Sequence, residues 1–211
     1  MVGDPIVRKH RGLVWMNPIT VSRRASHQHE LFPLEGAPEG FLFESEIMTA
    51  TEEAAFLGVV KELPFGTFRM HGVDAKRHVV RLGIHYVAGS AEMKPTSEFP
   101  RSLEPLRERA AAVVGIPTHA LSESLVTEYP PGAGIGWHRD SPPFGIVAGI
   151  SLGGVCRMRF QRGEGEQRQT WTIELPPRSL YVMSGSVREE WQHSIPPVKE
   201  ARWSITFRTL R

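Results

Sequence analysis

Apolar and polar positions change rhythm once along this chain, near residue 120. Before that point two stretches carry apolar residues at helical spacing. Ala54, Ala55, Phe56, Val59, Val60 and Leu63 follow Thr49-Ala-Thr-Glu52, which fits a capping box, and Pro64 stops the run. Leu106, Ala110, Ala111, Val113 and Val114 follow Ser102, the expected N-cap, and Gly115 ends the second helix. A short apolar segment at 41–47 predicts a strand ahead of the first helix. Residues 65–86 read as extended, a hairpin or a loop broken up by glycines and charges.

After Ala120 the pattern becomes short strands separated by turns, the spacing of a β-sandwich or barrel. Strands are expected at 124–129, 145–152, 157–161, 170–175, 179–183, 192–195 and 201–209, with 162–169 as a hairpin turn. The implied fold class is α+β, mainly β: a double-sheet jelly roll with two N-terminal helices packed beside it.

Composition changes this picture little. At 211 residues, 40% hydrophobic and 23% charged, the chain fits one globular domain. No apolar run approaches the ~20 residues of a membrane span, and Arg8, Lys9 and Arg11 interrupt any secretory apolar stretch. The single cysteine, Cys156, excludes an internal disulfide and suits a reducing cytoplasm, where it reads as a small packed hydrophobe. A net charge of +2 does not announce nucleic acid. It is unevenly spread: residues 1–30 hold five basic residues against Asp4 and Glu30. Residues 1–39 are therefore expected to be an irregular basic arm, and 40–211 the domain. A monomer is expected.

The candidate chemistry lies near the C-terminus. His138-x-Asp140 places an imidazole and a carboxylate on the same side of an extended strand, because side chains two apart point the same way. His193, 53 residues after Asp140, supplies a second imidazole from another strand. Two His and one carboxylate leave positions open on non-haem Fe(II) for O2 and substrate. Arg202 and Arg208, six apart, share one face of the last strand, where a planar guanidinium can pair a carboxylate bidentately. Arg188 and Arg211 each read equally well as a surface ion pair or as part of the site. Trp137 points opposite to His138 and is expected to be core.

From Leu121 to Arg211 the residues resemble the AlkB family of Fe(II)/2-oxoglutarate dioxygenases. The resemblance rests on Tyr-Pro-Pro-Gly-Ala-Gly-Ile-Gly-Trp-His-Arg-Asp (129–140), Ile-Ser-Leu-Gly (150–153) and Leu-Pro-Pro-Arg-Ser-Leu-Tyr-Val-Met-Ser-Gly (175–185). Trp191-Gln-His193 and Arg202-Trp-Ser-Ile-Thr-Phe-Arg208 complete it. The first 120 residues match only in outline. The resemblance implies a double-stranded β-helix (jelly-roll) oxygenase barrel with iron on His138, Asp140 and His193. It places 2-oxoglutarate on Arg202, Arg208 and Tyr129, with Thr127 and Ser204 beside them. Arg202 would take the distal carboxylate, and Arg208 would lie by the carboxylate next to the keto group.

The implied activity is oxidative demethylation or hydroxylation of alkylated or modified nucleobases in DNA or RNA. The alternative is an oxygenase of a protein side chain or small molecule. The chain departs from the family twice. Thr127 stands where many members have Asn, and Pro142 stands where repair-type members have an acid near the exocyclic amine of the target base. Residues 175–185 are most similar to homologues that hydroxylate a wobble uridine in tRNA; those carry an RNA-recognition module and a methyltransferase domain, for which this chain has no room. Residues 65–86 would supply the nucleotide-recognition lid, with Phe68 and His71 stacking and Arg69, Lys76, Arg77 and Arg81 contacting phosphates.

Overall fold

The computed structural model describes residues 34–70, 73–87 and 92–211. Most of the basic arm expected at 1–39 lies outside the described residues.

Strand β1 (Phe41–Glu44) leads into helix α1 (Ala50–Lys61). The capping box is formed: the Glu52 N–H donates to Thr49 Oγ1, and the Thr49 N–H donates to the Glu52 carboxylate. Helix α2 (Glu104–Val114) ends on Gly115, whose φ of 78° is the left-handed conformation that favours glycine. Its start corrects the expected Ser102 cap. Leu103 holds the cap position without a side-chain bond, while Ser102 lies in a preceding 3-10 turn. Pro105 sits in the first turn, where a missing N–H is harmless.

Between the helices, β2 (Gly66–Met70) and β3 (Val73–Val87) form an antiparallel hairpin, one of the two readings of the extended stretch 65–86. A short strand missed in the sequence, β4 (Glu92–Pro95), pairs with β3. Then follow β5 (Leu121–Tyr129), β6 (Ile135–His138), β7 (Phe144–Gly153), β8 (Cys156–Arg162), β9 (Gln169–Leu175), β10 (Ser179–Met183), helix α3 (Gly185–Glu189), β11 (Gln192–Ile195) and β12 (Arg202–Leu210).

The strands build two antiparallel sheets. The large one runs β1-β10-β7-β12-β5-β3-β2, with β4 attached to β3; the small one runs β6-β11-β8-β9. This is the expected jelly roll, with two layers closing on a shared interior. Alternation along each strand decides what enters that interior. On β12, Trp203, Ile205 and Phe207 pack outward with Val60 of α1 and Leu106, Ala110 and Ala111 of α2. Each such side chain, fully buried, contributes about 1.5–3 kcal/mol, so the helices hold the large sheet from behind. The opposite row of β12, Arg202, Ser204, Thr206 and Arg208, is buried but polar. Between the sheets, Phe41, Met158, Phe160, Leu175 and Met183 form a second apolar cluster. Polar residues in a buried row next to such a cluster mark the site. No described helix is long and apolar enough to cross a membrane.

Candidate metal centre and co-substrate cavity

Strand β11 pairs with β6 so that His193 stands opposite His138, and the two rings lie 4.2 Å apart centre to centre. Asp140 lies two residues past the end of β6, not on the strand as the His-x-Asp pattern suggested. The strand ends there, and the carboxylate still lies beside the imidazoles. His138 Nδ1 is 2.9 Å from the Gly136 carbonyl oxygen; by donating there it leaves Nε2 with the lone pair a metal needs. His193 Nε2 is 3.8 Å from Asp140 Oδ2. One ligand atom from each of the three residues lies within 4.8 Å of the other two. Donors on one face of an ion that each bind at about 2.0–2.2 Å must sit closer together than that limit, so the side chains assemble the shell by closing inward on the ion. The donor set, two imidazoles and one carboxylate on one side, fits ferrous iron with positions left open.

Charge around this group is arranged in a chain. Arg208 Nη2 donates to Asp140 Oδ1 at 2.9 Å, and its Nη1 donates to Glu123 Oε2 at 2.7 Å. All three side chains are less than 10% exposed. Burial opposes ionisation of Asp140 most strongly, yet Arg208, His193, His138 and Arg188 together outweigh it and hold the carboxyl well below the usual range. Asp140 is therefore an anion with Oδ1 occupied and Oδ2 facing His193. Burial pushes the His193 imidazole down to about 4, against the pull of Asp140 and with His138 adding to the effect. His193 is neutral at pH 7 and able to ligate a metal. Burial also raises the Glu123 carboxyl, with Arg208 opposing.

The metal group lies in a cavity of about 620 Å³ between the sheets. Its floor comes from matching rows: Ser204, Thr206 and Arg208 of β12, and Glu123, Leu125, Thr127 and Tyr129 of β5. Beneath it Arg202 is wholly buried. Its Nε donates to Ser151 Oγ at 3.0 Å, and the guanidinium lies 5.2 Å over the Tyr129 ring. Nη1 and Nη2 have no hydrogen bond of good geometry and no carboxylate partner; the groups that feel this guanidinium are the Tyr129 hydroxyl and the Cys156 thiol. A buried guanidinium with its fork unpaired is costly, and a carboxylate received on that fork removes the cost. This orphaned fork is the fit expected for one end of 2-oxoglutarate.

Glycine at 149 is required for the same floor. A Cβ there would lie 2.3–2.5 Å from ring atoms of Tyr181, which lines the cavity. Gly149→Ala is expected to displace Tyr181 into the co-substrate space and to cost about 1–3 kcal/mol of stability, as overpacking does. Thermal denaturation alongside the KM for 2-oxoglutarate checks it; an unchanged KM and melting temperature would contradict it.

Every predicted site residue, His138, Asp140, His193, Tyr129, Thr127, Arg202, Ser204 and Arg208, is found in or against this one cavity. Trp137 contradicts its expected core position: it is 39% exposed. Its strand face points away from the cavity, and nothing among the described residues covers that face fully. Arg188 was equally readable as a surface residue, yet it is buried, and its Nη2 donates to the carbonyls of Ser141 and Phe144. It thereby ties down the segment just after Asp140. Arg211 does make a surface pair with Glu189.

Glu123 was missed altogether. Its signal was the antiparallel register: once Arg202 stands opposite Tyr129, Arg208 must stand opposite Glu123. Of the expected lid residues, Arg77 and Arg81 line the cavity together with His85. Lys76 is exposed. The side chains of Phe68, Arg69 and His71 lie outside the described residues.

Comparison with known proteins agrees with this geometry. A family model described as the 2OG-Fe(II) oxygenase superfamily matches residues 60–208. The chain is 27% identical over 182 residues to the "Alkylated DNA repair protein ALKBH8 homolog" of Arabidopsis thaliana, covering 74% of this chain and 51% of that protein. It is 30% identical over 173 residues to the mouse "tRNA (carboxymethyluridine(34)-5-O)-methyltransferase ALKBH8", covering 79% of this chain and 26% of that one. Over 99 residues it is 35% identical to "Uncharacterized protein L905" of Acanthamoeba polyphaga mimivirus, 41% of this chain and 47% of that protein. The chain thus spans about half the length of two of these relatives and about a quarter of the mouse protein.

Among solved structures, that of OsALKBH1 superposes with a TM-score of 0.65 at 13% identity, over 84% of this chain and 100% of that one. A 2OG-Fe(II) oxygenase family oxidoreductase from Burkholderia pseudomallei superposes with a TM-score of 0.55 at 16% identity, over 81% and 85%. At such identities these structures speak to the fold alone.

Proposed function

Because the chain belongs to the 2OG-Fe(II) oxygenase superfamily, in its AlkB-like branch, we propose that it oxidises alkylated or modified nucleobases in DNA or RNA. It is a 2-oxoglutarate-dependent dioxygenase that uses Fe(II). The observation that carries the reading is the two-His-one-carboxylate group in the cavity together with the orphaned Arg202 fork buried beneath its floor. The substrate class is supported by the sequence similarity to the Arabidopsis and mouse proteins. Residues 40–211 form the catalytic domain in this reading, the β2–β3 hairpin is its nucleotide-recognition lid, and the protein works as a monomer in the cytoplasm.

In this account His138 Nε2, Asp140 Oδ2 and His193 Nε2 hold the iron. Arg202 takes the distal carboxylate of 2-oxoglutarate on its free fork, with Tyr129, Thr127 and Ser204 offering hydroxyls along the same floor. Bound there with O2, iron and 2-oxoglutarate supply the oxidising power that inserts one oxygen atom into a substrate C–H bond while 2-oxoglutarate becomes succinate and CO2. Arg208 fixes Asp140 Oδ1 and so keeps Oδ2 turned to the metal; Glu123 fixes Arg208 in turn. Arg188, by clamping the 141–144 segment, limits the swing of Asp140. Met158 and Ile195 give the cavity an apolar patch beside the metal group.

An N-methyl group oxidised this way yields a hemiaminal that releases formaldehyde, and an ordinary carbon keeps the hydroxyl. A base in a duplex must leave the stack to reach the cavity. Pro142 offers no acidic side chain to the exocyclic amine of that base, so discrimination falls to the cavity wall and the lid.

The test is turnover of labelled 2-oxoglutarate against a panel of methylated and modified DNA and RNA strands. Substrate-stimulated succinate formation, with formaldehyde or a hydroxylated base as co-product, is expected. No stimulation by any nucleic acid, with iron bound normally, would sink this substrate class and leave a protein side chain or small molecule as the target.

A further inference from the structure

The small sheet has two faces, and the register assigns residues to each. Inside, His138, His193, Phe160 and Trp171 lie in one row across β6, β11, β8 and β9. One residue along each strand, Ser194, Arg159 and Thr172 form the outer row, and Trp137 lies beside them where the pairing of β6 with β11 is irregular. Trp137 is 39% exposed there, although large apolar residues are rare on this surface. The Arg159 guanidinium lies 5.0 Å over the Trp137 ring and its Nε donates to Ser194 Oγ at 3.2 Å, which holds the pair in a fixed plane. Towards the end of β6 the outer face continues through the bonded pair Gln161–Gln192 to Arg139, which lines the cavity. The acid on this face, Glu174, stands opposite Arg157 and away from Trp137.

An exposed indole backed by a guanidinium, joined by polar residues to a cationic cavity edge, matches the platform on which single-stranded nucleic acid stacks a base and sets a phosphate. Protein partners would find little apolar area around Trp137, since the row beside it is Ser194, Arg159 and Thr172.

We propose that Trp137 and Arg159 receive the strand flanking the target nucleotide, one base stacking on the Trp137–Arg159 pair and its phosphate meeting the cationic edge at Arg139. The assignment rests on the nucleobase reading above. It places substrate recognition on both sides of the metal strand: the target base inside, its neighbour outside.

The experiment measures binding of fluorescent single-stranded RNA and DNA, each with one N-methylated base, to the full chain loaded with Mn(II) and an inert 2-oxoglutarate analogue. Trp137→Ala and Arg159→Ala are each expected to weaken binding about tenfold, the usual effect of removing a stacking surface. Uncoupled succinate formation with Fe(II) should be unchanged in both, because neither residue touches the metal group. A strand abasic next to the target should lose the same factor on wild-type protein and nothing further on Trp137→Ala. A merely structural role for Trp137 would not produce that last equality. If wild type binds and both variants bind as tightly, this face is wrongly assigned while the nucleobase reading stands. If the variants instead lose self-association at unchanged affinity, the face is an interface between copies and the proposal is overturned. Wild-type protein that binds neither strand removes the nucleobase reading and this assignment together.

Discussion

His138→Ala is expected to retain less than about one hundredth of the wild-type affinity for Fe(II) and to show no measurable turnover. The expectation follows from what the imidazole does and does not touch. Its Nδ1 is bonded to the Gly136 carbonyl and takes no part in the Glu123–Arg208–Asp140 chain, so removing the ring leaves that chain intact. The fold should survive, with a melting temperature close to that of the wild-type apoprotein. The loss of metal is large because even hydrogen-bond partners behind a ligand are worth about 10–100-fold in affinity, and the ligand itself is worth more.

Asp140→Ala should lose metal as completely but behave differently in stability. It leaves Arg208 buried with Glu123 as its remaining carboxylate partner. Part of the stability that the Asp140 carboxylate contributes through Arg208 should therefore disappear, and a drop in melting temperature should separate it from His138→Ala. Metal titration with calorimetric melting reads both effects. Wild-type metal affinity in either variant would contradict the assignment.

Arg202→Ala is expected to raise the 2-oxoglutarate requirement by about 30-fold or more, the equivalent of the roughly 2–5 kcal/mol lost when one partner of a buried charge pair is removed. Arg202→Lys should recover little, since an ammonium cannot reproduce a planar two-donor fork. A second consequence distinguishes this role from simple packing. Without a carboxylate, wild-type Arg202 is a fully buried cation with two unpaired donors. Ligand binding then stabilises the folded state by mass action, so 2-oxoglutarate should raise the wild-type melting temperature markedly. Arg202→Met should melt at or above the ligand-free wild-type temperature yet show no such rise. An unchanged KM, or an undiminished thermal shift in the Met variant, would show that the co-substrate carboxylate is held elsewhere.

Much of the cavity was legible because β12 states it in one line. Arg202, Ser204, Thr206 and Arg208 alternate with Trp203, Ile205 and Phe207, and a strand with a polar row and an apolar row, both buried, must line something. The metal ligands were legible for a related reason: two-residue spacing fixes direction, and Asp140 kept that direction even though the strand had ended. Trp137 shows the limit of this reasoning. Alternation says that it opposes His138 but not whether anything lies on that side. Coverage of a sheet face is a property of the whole fold, and here the helices cover only the large sheet.

Arg188 shows a different limit, since the sequence reads equally well either way. A cation in a short segment stays undecided until the chain shows that two carbonyls near the metal need a donor. Strand β4 and helix α3 were too short, at four and five residues, to show any periodicity. Ser102 was a good capping residue, displaced because a 3-10 turn began the helix one residue later than its preference indicated.

A crystal structure grown without oxygen, with Mn(II) and an inert 2-oxoglutarate analogue, tests the central claim most directly. One metal ion is expected at about 2.0–2.2 Å from His138 Nε2, Asp140 Oδ2 and His193 Nε2, with the distal carboxylate of the analogue on Nη1 and Nη2 of Arg202. Metal bound outside these three side chains, or an analogue carboxylate that leaves the Arg202 fork empty, would contradict it.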